Sequence, residues 1–129
     1  MFELDESRGY APTMHTIRTM RLHALDAWVR DAAVLTDADA LRTILYAGAE
    51  AGGATVVGEK FCVFPNGAVT GVLVLAQSHL SIHTWPEFAL ANIDLLSYGD
   101  LCGDDVLQAI CERLDVDRVP VTCLPRAVG

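Results

Sequence analysis

Residues 55–87 read TVVGEKFCVFPNGAVTGVLVLAQSHLSIHTWPE, and the fold is decided within them. The first part is β-branched and aromatic from Thr55 to Phe64, breaks at Pro65-Asn66-Gly67, and resumes from Ala68 to Ala76. Proline presets φ for a turn, asparagine bonds its own backbone, and Gly67 takes positive φ without steric cost, so this stretch predicts a β-hairpin. Two further extended segments are expected at about 79–84 and about 89–98, separated by Pro86, which has no N–H to give to a central ladder. The sheet is therefore expected to be mostly antiparallel.

Upstream, Arg21 to Val29 predicts a first strand with Leu22, Ala24 and Trp28 on one face, interrupted by Asp26. Thr36 with Asp39 three residues later reads as a capping box. Leu41, Ile44, Leu45 and Ala49 then fall at helical spacing and Gly52-Gly53 supplies a stop, giving a helix over about 37–51. Downstream, Asp104 is placed to cap a second amphipathic helix carrying Val106, Leu107, Ile110 and Leu114 on one face. Arg118 to Leu124 alternates through Val119, Val121 and Cys123 as a last strand. Strands interleaved with two one-sided helices define an α+β two-layer sandwich, with the helices on one sheet face. Residues 1–19 have no steady period and read as an N-terminal extension, leaving residues 20–129 as a single domain.

With 129 residues, 52% of them hydrophobic, the chain has the length of one domain with a modest core. Nine Lys and Arg against 17 Asp and Glu give a formal charge of −8, which repels phosphate backbones and anionic lipid, so no nucleic-acid or membrane partner is expected. No apolar run reaches the roughly 18 residues of a membrane span, and the polar, acidic opening lacks the pattern of a signal peptide. The expectation is a cytoplasmic protein. Cys62, Cys102, Cys111 and Cys123 contain no CxxC pair, and read as buried or inert thiols in a reducing compartment rather than as a zinc cluster.

Ser78, His79, His83 and Glu87 fall within ten residues, directly after an apolar strand. On a strand, positions 79, 81 and 83 share one face and Leu80 and Ile82 the other, so both histidines point the same way as Ser81. Three readings compete from the residues alone. The histidines can be hydrogen-bonded structural residues on a half-exposed face. They can share a metal, although a four-residue His spacing suits a helix better than a strand. Or Ser78 can be a nucleophile with His83 as its proton shuttle, without a GxSxG elbow.

The run SHLSIHTWPE at 78–87, preceded by the hairpin ending at 71–76 and followed by Asn92-Ile93-Asp94, resembles the self-processing segment of the prokaryotic S-adenosylmethionine decarboxylase family. The resemblance extends through LTDADALRTIL at 35–45 and Gly-Ala-Thr-Val-Val at 53–57, and covers the chain beyond the extension. It implies a pyruvoyl enzyme made by self-cleavage. The Ser78 hydroxyl attacks the carbonyl of Gln77, an N-to-O acyl shift gives an ester, and elimination followed by hydrolysis leaves chains 1–77 and 78–129, the second headed by a pyruvoyl group. The keto group condenses with the substrate amine to a Schiff base and draws off electrons as carbon dioxide departs, so neither a separate cofactor nor a metal is predicted.

Further roles are implied position by position. His83 matches the histidine that assists elimination, Thr70 stands where a serine helps processing, Phe64 matches an aromatic that stacks on the substrate adenine, and Glu87 matches an acid of the substrate pocket. A homodimer of processed protomers, with the site near its interface, is implied too.

Two positions depart from the family pattern. Twenty residues after Ser78, where the family has a catalytic cysteine in Phe-Thr-Cys-Gly, this chain has Tyr98 in Leu96-Ser97-Tyr98-Gly99; Cys102, four residues further, stands in only if the loop folds back. Gln77 replaces the usual Glu. Three functions follow: decarboxylation of S-adenosylmethionine for spermidine and polyamine biosynthesis; the same chemistry on ornithine or arginine, with Tyr98 filling pocket volume; or an uncleaved, non-catalytic homologue acting as a binding or regulatory partner.

Overall fold

The computed structural model describes residues 20–126, and the expected extension 1–19 lies outside them. Seven strands form one sheet: β1 Met20–Val29, β2 Val56–Val63, β3 Val69–Leu75, β4 Ser78–Trp85, β5 Leu90–Tyr98, β6 Val116–Arg118 and β7 Val121–Arg126. The order is β2-β3-β4-β5-β1, with β6 and β7 both pairing the far edge of β1, and every pairing is antiparallel. Helices α1 Ala38–Ala51 and α2 Gly103–Leu114 pack against each other over one sheet face. The two-layer α+β sandwich is the architecture the sequence predicts.

The Pro65-Asn66-Gly67 hairpin forms as expected, with Gly67 at φ 88° and Val63 opposite Val69. Both helices bury the predicted stripes: Leu41, Ile44, Leu45 and Ala49 from α1, and Val106, Leu107, Ile110 and Leu114 from α2. Each large side chain in such a stripe contributes about 1.5–3 kcal/mol through removal from water. The helices approach closely at Gly48, where a Cβ would lie 2.6 Å from Ile110 Cγ1.

Local details differ from the sequence reading for identifiable reasons. Thr36 does not cap α1: it closes a 3₁₀ turn, Ala32–Thr36, by donating its hydroxyl to the Ala33 carbonyl, and Asp37 is the cap, accepting from the Ala40 N–H at 3.0 Å. Asp104 does not cap α2 either; Cys102 occupies the N-cap without a side-chain bond, and Asp104 lies in the first turn, beside the positive end of the helix. The expected last strand is split into β6 and β7 by Val119-Pro120, because proline cannot donate to a ladder. Leu22, Ala24 and Trp28 do share a face, but it points away from the helices. The core-facing set of β1 is Arg21, His23, Leu25, Ala27 and Val29.

That outer, open face positions the site. It carries Thr70, Val72 and Val74 from β3, His79, Ser81, His83 and Trp85 from β4, and Asn92, Asp94, Leu96 and Tyr98 from β5. No helix of the described residues is long and apolar enough to cross a membrane.

Candidate active site

The segment implied to undergo cleavage is the hairpin between β3 and β4. Leu75 pairs with Ser78, so Ala76 and Gln77 alone make the turn, and Gln77 is held at φ 63°. Two-residue turns with a left-handed second position favour glycine or asparagine there. A longer side chain at positive φ costs about 1–2 kcal/mol, so backbone strain sits at the residue that supplies the carbonyl to Ser78. The Ser78 hydroxyl donates to the Leu96 carbonyl on β5, two residues before Tyr98.

The other candidate residues gather at the far end of β4. Thr70 Oγ1 lies 2.6 Å from His83 Nδ1, the two residues being direct cross-strand partners. The Phe64 and His83 rings have centroids 6.2 Å apart, and Trp85 meets His83 edge-on at 4.5 Å. Phe64, Asn66, Ala68, His83 and Trp85 line an open, largely apolar cavity of about 270 Å³. Glu87 is exposed in a short 3₁₀ turn, Pro86–Phe88, at the same end.

These two groups are not brought together within one chain. Ser78 and His83 stand five residues apart on a straight strand; at about 3.3 Å per residue that is roughly 16 Å. Alternation also gives Ser78 the face of Leu80, Ile82 and Thr84, opposite to that of His83. The histidine pair does share the face of Ser81, as strand periodicity requires.

Tyr98 lines a separate cavity of about 210 Å³ with Arg21, His23, Ser97, Gly99, Leu101, Cys102, Gly103 and Asp104. The loop after β5 therefore does turn back, putting Cys102 on the cavity that Tyr98 lines. Sequence reasoning missed His23, whose ring is buried with Nε2 3.1 Å from Ser97 Oγ. Burial pushes its imidazole below the usual range; the Asp104 carboxylate opposes this and the Arg21 guanidinium adds to it. Of the cysteines expected to be buried or inert, Cys111 is buried, and desolvation, with Glu112 nearby, pushes its thiol up to about 11; Cys62 and Cys102 are exposed and Cys123 is half-buried. Among the described residues no three His, Cys, Asp or Glu side chains gather as a metal site.

The domain thus combines a seven-stranded antiparallel sheet, two helices on one of its faces, and a two-residue hairpin with Gln77 at positive φ directly before a serine. Residues 21–127 match the profile of the S-adenosylmethionine decarboxylase family. The chain belongs to that family, which is one of pyruvoyl-dependent decarboxylases. It is 35% identical over 105 residues to the S-adenosylmethionine decarboxylase proenzyme of Methanococcus vannielii, covering 81% of this chain and 86% of that one. The proenzyme of Symbiobacterium thermophilum is 52% identical over 65 residues, 50% of this chain and 49% of its own, so there the match spans about half the relative's length. The crystal structure of the adenosylmethionine decarboxylase from Aquifex aeolicus superposes with a TM-score of 0.76 at 28% identity, covering 86% of this chain and 93% of that one. Of the three functions read from the sequence, these likenesses support the first.

Proposed function

We propose that this chain is a self-processing S-adenosylmethionine decarboxylase serving polyamine biosynthesis, cut between Gln77 and Ser78 into chains 1–77 and 78–129. The observation that carries the reading is the turn itself: Gln77 strained at positive φ, immediately before a hydroxyl engaged by the Leu96 carbonyl. Ser78 Oγ attacks the Gln77 carbonyl carbon. The C–Oγ bond forms as the C–N bond breaks, and the freed nitrogen keeps the hydroxyl proton. Elimination then removes the Ser78 Cα proton and breaks Cβ–Oγ, releasing Gln77 as a carboxylate. His83 is the base for that proton, in the tautomer whose Nδ1–H donates to Thr70 Oγ1 and so leaves the lone pair on Nε2. Water completes the conversion of Ser78 to a pyruvoyl group, with loss of ammonia.

The pyruvoyl keto group supplies the electrophile for the substrate amine and the electron sink for decarboxylation. Around it, Phe64 offers an aromatic face to the adenine and Glu87 a carboxylate to the cationic substrate. Tyr98 is the donor of a proton to the product carbon. A phenol is a weaker acid than a thiol, about pKa 10 against about 8.5, so this step is expected to be slower than with a cysteine. Four cysteines, none of them in a disulfide, suit a reducing compartment, and we assign the protein to the cytoplasm.

The 16 Å gap is bridged by a second copy of the chain. Val74, Leu124 and Trp85 are 47%, 45% and 38% exposed on the open face, with Leu22 and Leu96 beside them. A two-fold axis between two stacked open faces, running across the strands, exchanges their ends. The Ser78 rim of one copy then meets the Thr70, His83 and Phe64 end of the other. The test is complementation between two inactive variants. Ser78→Ala and His83→Ala should each stay uncut alone, and mixing them should release fragments from the His83→Ala chain. An uncut mixture that light scattering proves to contain mixed dimers would contradict the shared site. Label released as carbon dioxide from carboxyl-labelled S-adenosylmethionine reads out the substrate.

A further inference from the structure

One row of side chains crosses the open face over five strands. Cys62 on β2, Thr70 on β3, His83 on β4, Asn92 on β5 and Asp26 on β1 are successive cross-strand partners. Trp85, two residues beyond His83 on the same face of β4, is tied into that row. Its indole Nε1–H donates to Asn92 Oδ1 at 2.6 Å, and Asn92 Nδ2–H donates to Asp26 Oδ1 at 2.8 Å. The direction of this relay is fixed by chemistry, because an indole N–H can only donate and an ionised carboxylate can only accept. The amide between them has one orientation that satisfies both.

Polar surface residues form incidental hydrogen bonds, and that is the competing account of Asn92. Two features argue against it. Asn92 lies directly opposite His83 in register, and the indole it anchors meets the His83 ring edge-on at 4.5 Å, with 69° between the ring planes. The imidazole thus contacts both Thr70, at 2.6 Å, and the edge-on Trp85 ring, whose own freedom to rotate is limited by Asn92.

We propose that Asn92 is a positioning residue for His83, acting through Trp85, with Asp26 holding the Asn92 amide in its working orientation. The relay fixes the plane of the imidazole and so the direction in which Nε2 points. The consequence for cleavage rests on the reading of His83 as the base in processing; the mechanical part does not.

Tryptophan fluorescence separates the two. A protonated imidazole in contact with an indole quenches its emission, and Trp28→Phe removes the one other tryptophan. In an intact Ser78→Ala, Trp28→Phe chain, emission from Trp85 is followed from about pH 5 to about pH 8. The titratable groups on this face and at this end of the sheet are Cys62 and Lys60 from β2, His79 from β4, Glu87 from the turn after it, Asp94 and Tyr98 from β5 and Asp26 from β1, so His83→Ala identifies the part of the quench that belongs to His83. Asn92→Ala should lose most of that part, and so should Asn92→Leu, which conserves volume and guards against a folding defect. Asp26→Asn, which keeps an acceptor oxygen, should retain it, and Asp26→Leu should not.

In a chain with Ser78 restored, Asn92→Ala should slow cleavage by about 10- to 100-fold, the range for a misplaced catalytic group. An undiminished quench in both Asn92 variants overturns the proposal. A lost quench with cleavage at the parental rate overturns its functional half. Cleavage at the parental rate in His83→Ala instead removes the reading of His83 as the base, while the fluorescence still decides whether Asn92 holds the ring pair.

Discussion

At the scale of single residues, Gln77 and His23 are each held away from the state an unfolded chain would choose. Gln77 occupies a left-handed conformation that glycine adopts freely. Gln77→Gly should relieve about 1 kcal/mol of strain and slow self-cleavage by roughly fivefold, measured as the disappearance of intact chain with time. An unchanged or faster rate would show that strain at the turn does not drive the attack. His23 is buried beside Ser97, and its imidazole titrates below the range it has in the unfolded chain. As pH falls through about 6.5 the unfolded chain takes up the proton first, so stability is full above that value and is lost towards the lower folded pKa. His23→Gln keeps a polar partner for Ser97 and abolishes the titration. Between about pH 7.5 and about pH 5.5 the wild type should lose more stability than the variant in urea melts, and parallel curves would contradict this.

At the scale of elements, periodicity made the strands, helices and buried helix stripes legible, because burial imposes a period of two or 3.6 on apolar residues. It failed where side chains compete for the same backbone groups. Thr36, Asp37 and Asp39 all resemble caps in sequence, and which one turns to the helix depends on the 3₁₀ turn before it. Asp37→Ala should therefore cost about 1 kcal/mol in urea unfolding, and Thr36→Ala less. The reverse order would restore the Thr36 capping box. The face of β1 was illegible for a different reason: Arg21 and His23 lie on the buried side with Leu25, Ala27 and Val29, and Leu22 and Trp28 lie on the open side, so hydrophobicity does not separate the two faces. Polar groups were drawn inward by specific hydrogen bonds, as between His23 and Ser97, and apolar ones were left outward on a face that we propose is covered by a second copy.

At the scale of the whole molecule, sequence proximity was a poor guide to the candidate site. Ser78 and His83 are neighbours in the motif, yet extension along β4 separates them, while Thr70 and His83, 13 residues apart, are in hydrogen-bond contact. The relay from Trp85 through Asn92 to Asp26 spans 66 residues between its last two members and left no local pattern to read. The account still stands or falls on one covalent event. The denatured intact mass of the purified wild-type protein tests it directly, with Ser78→Ala alongside. The prediction is two fragments meeting between Gln77 and Ser78, of 77 and 52 residues for this sequence, the second carrying a borohydride-reducible keto terminus, and one uncut Ser78→Ala chain. A wild-type chain that stays whole after prolonged incubation, or a Ser78→Ala chain that is cut at the same bond, would contradict it.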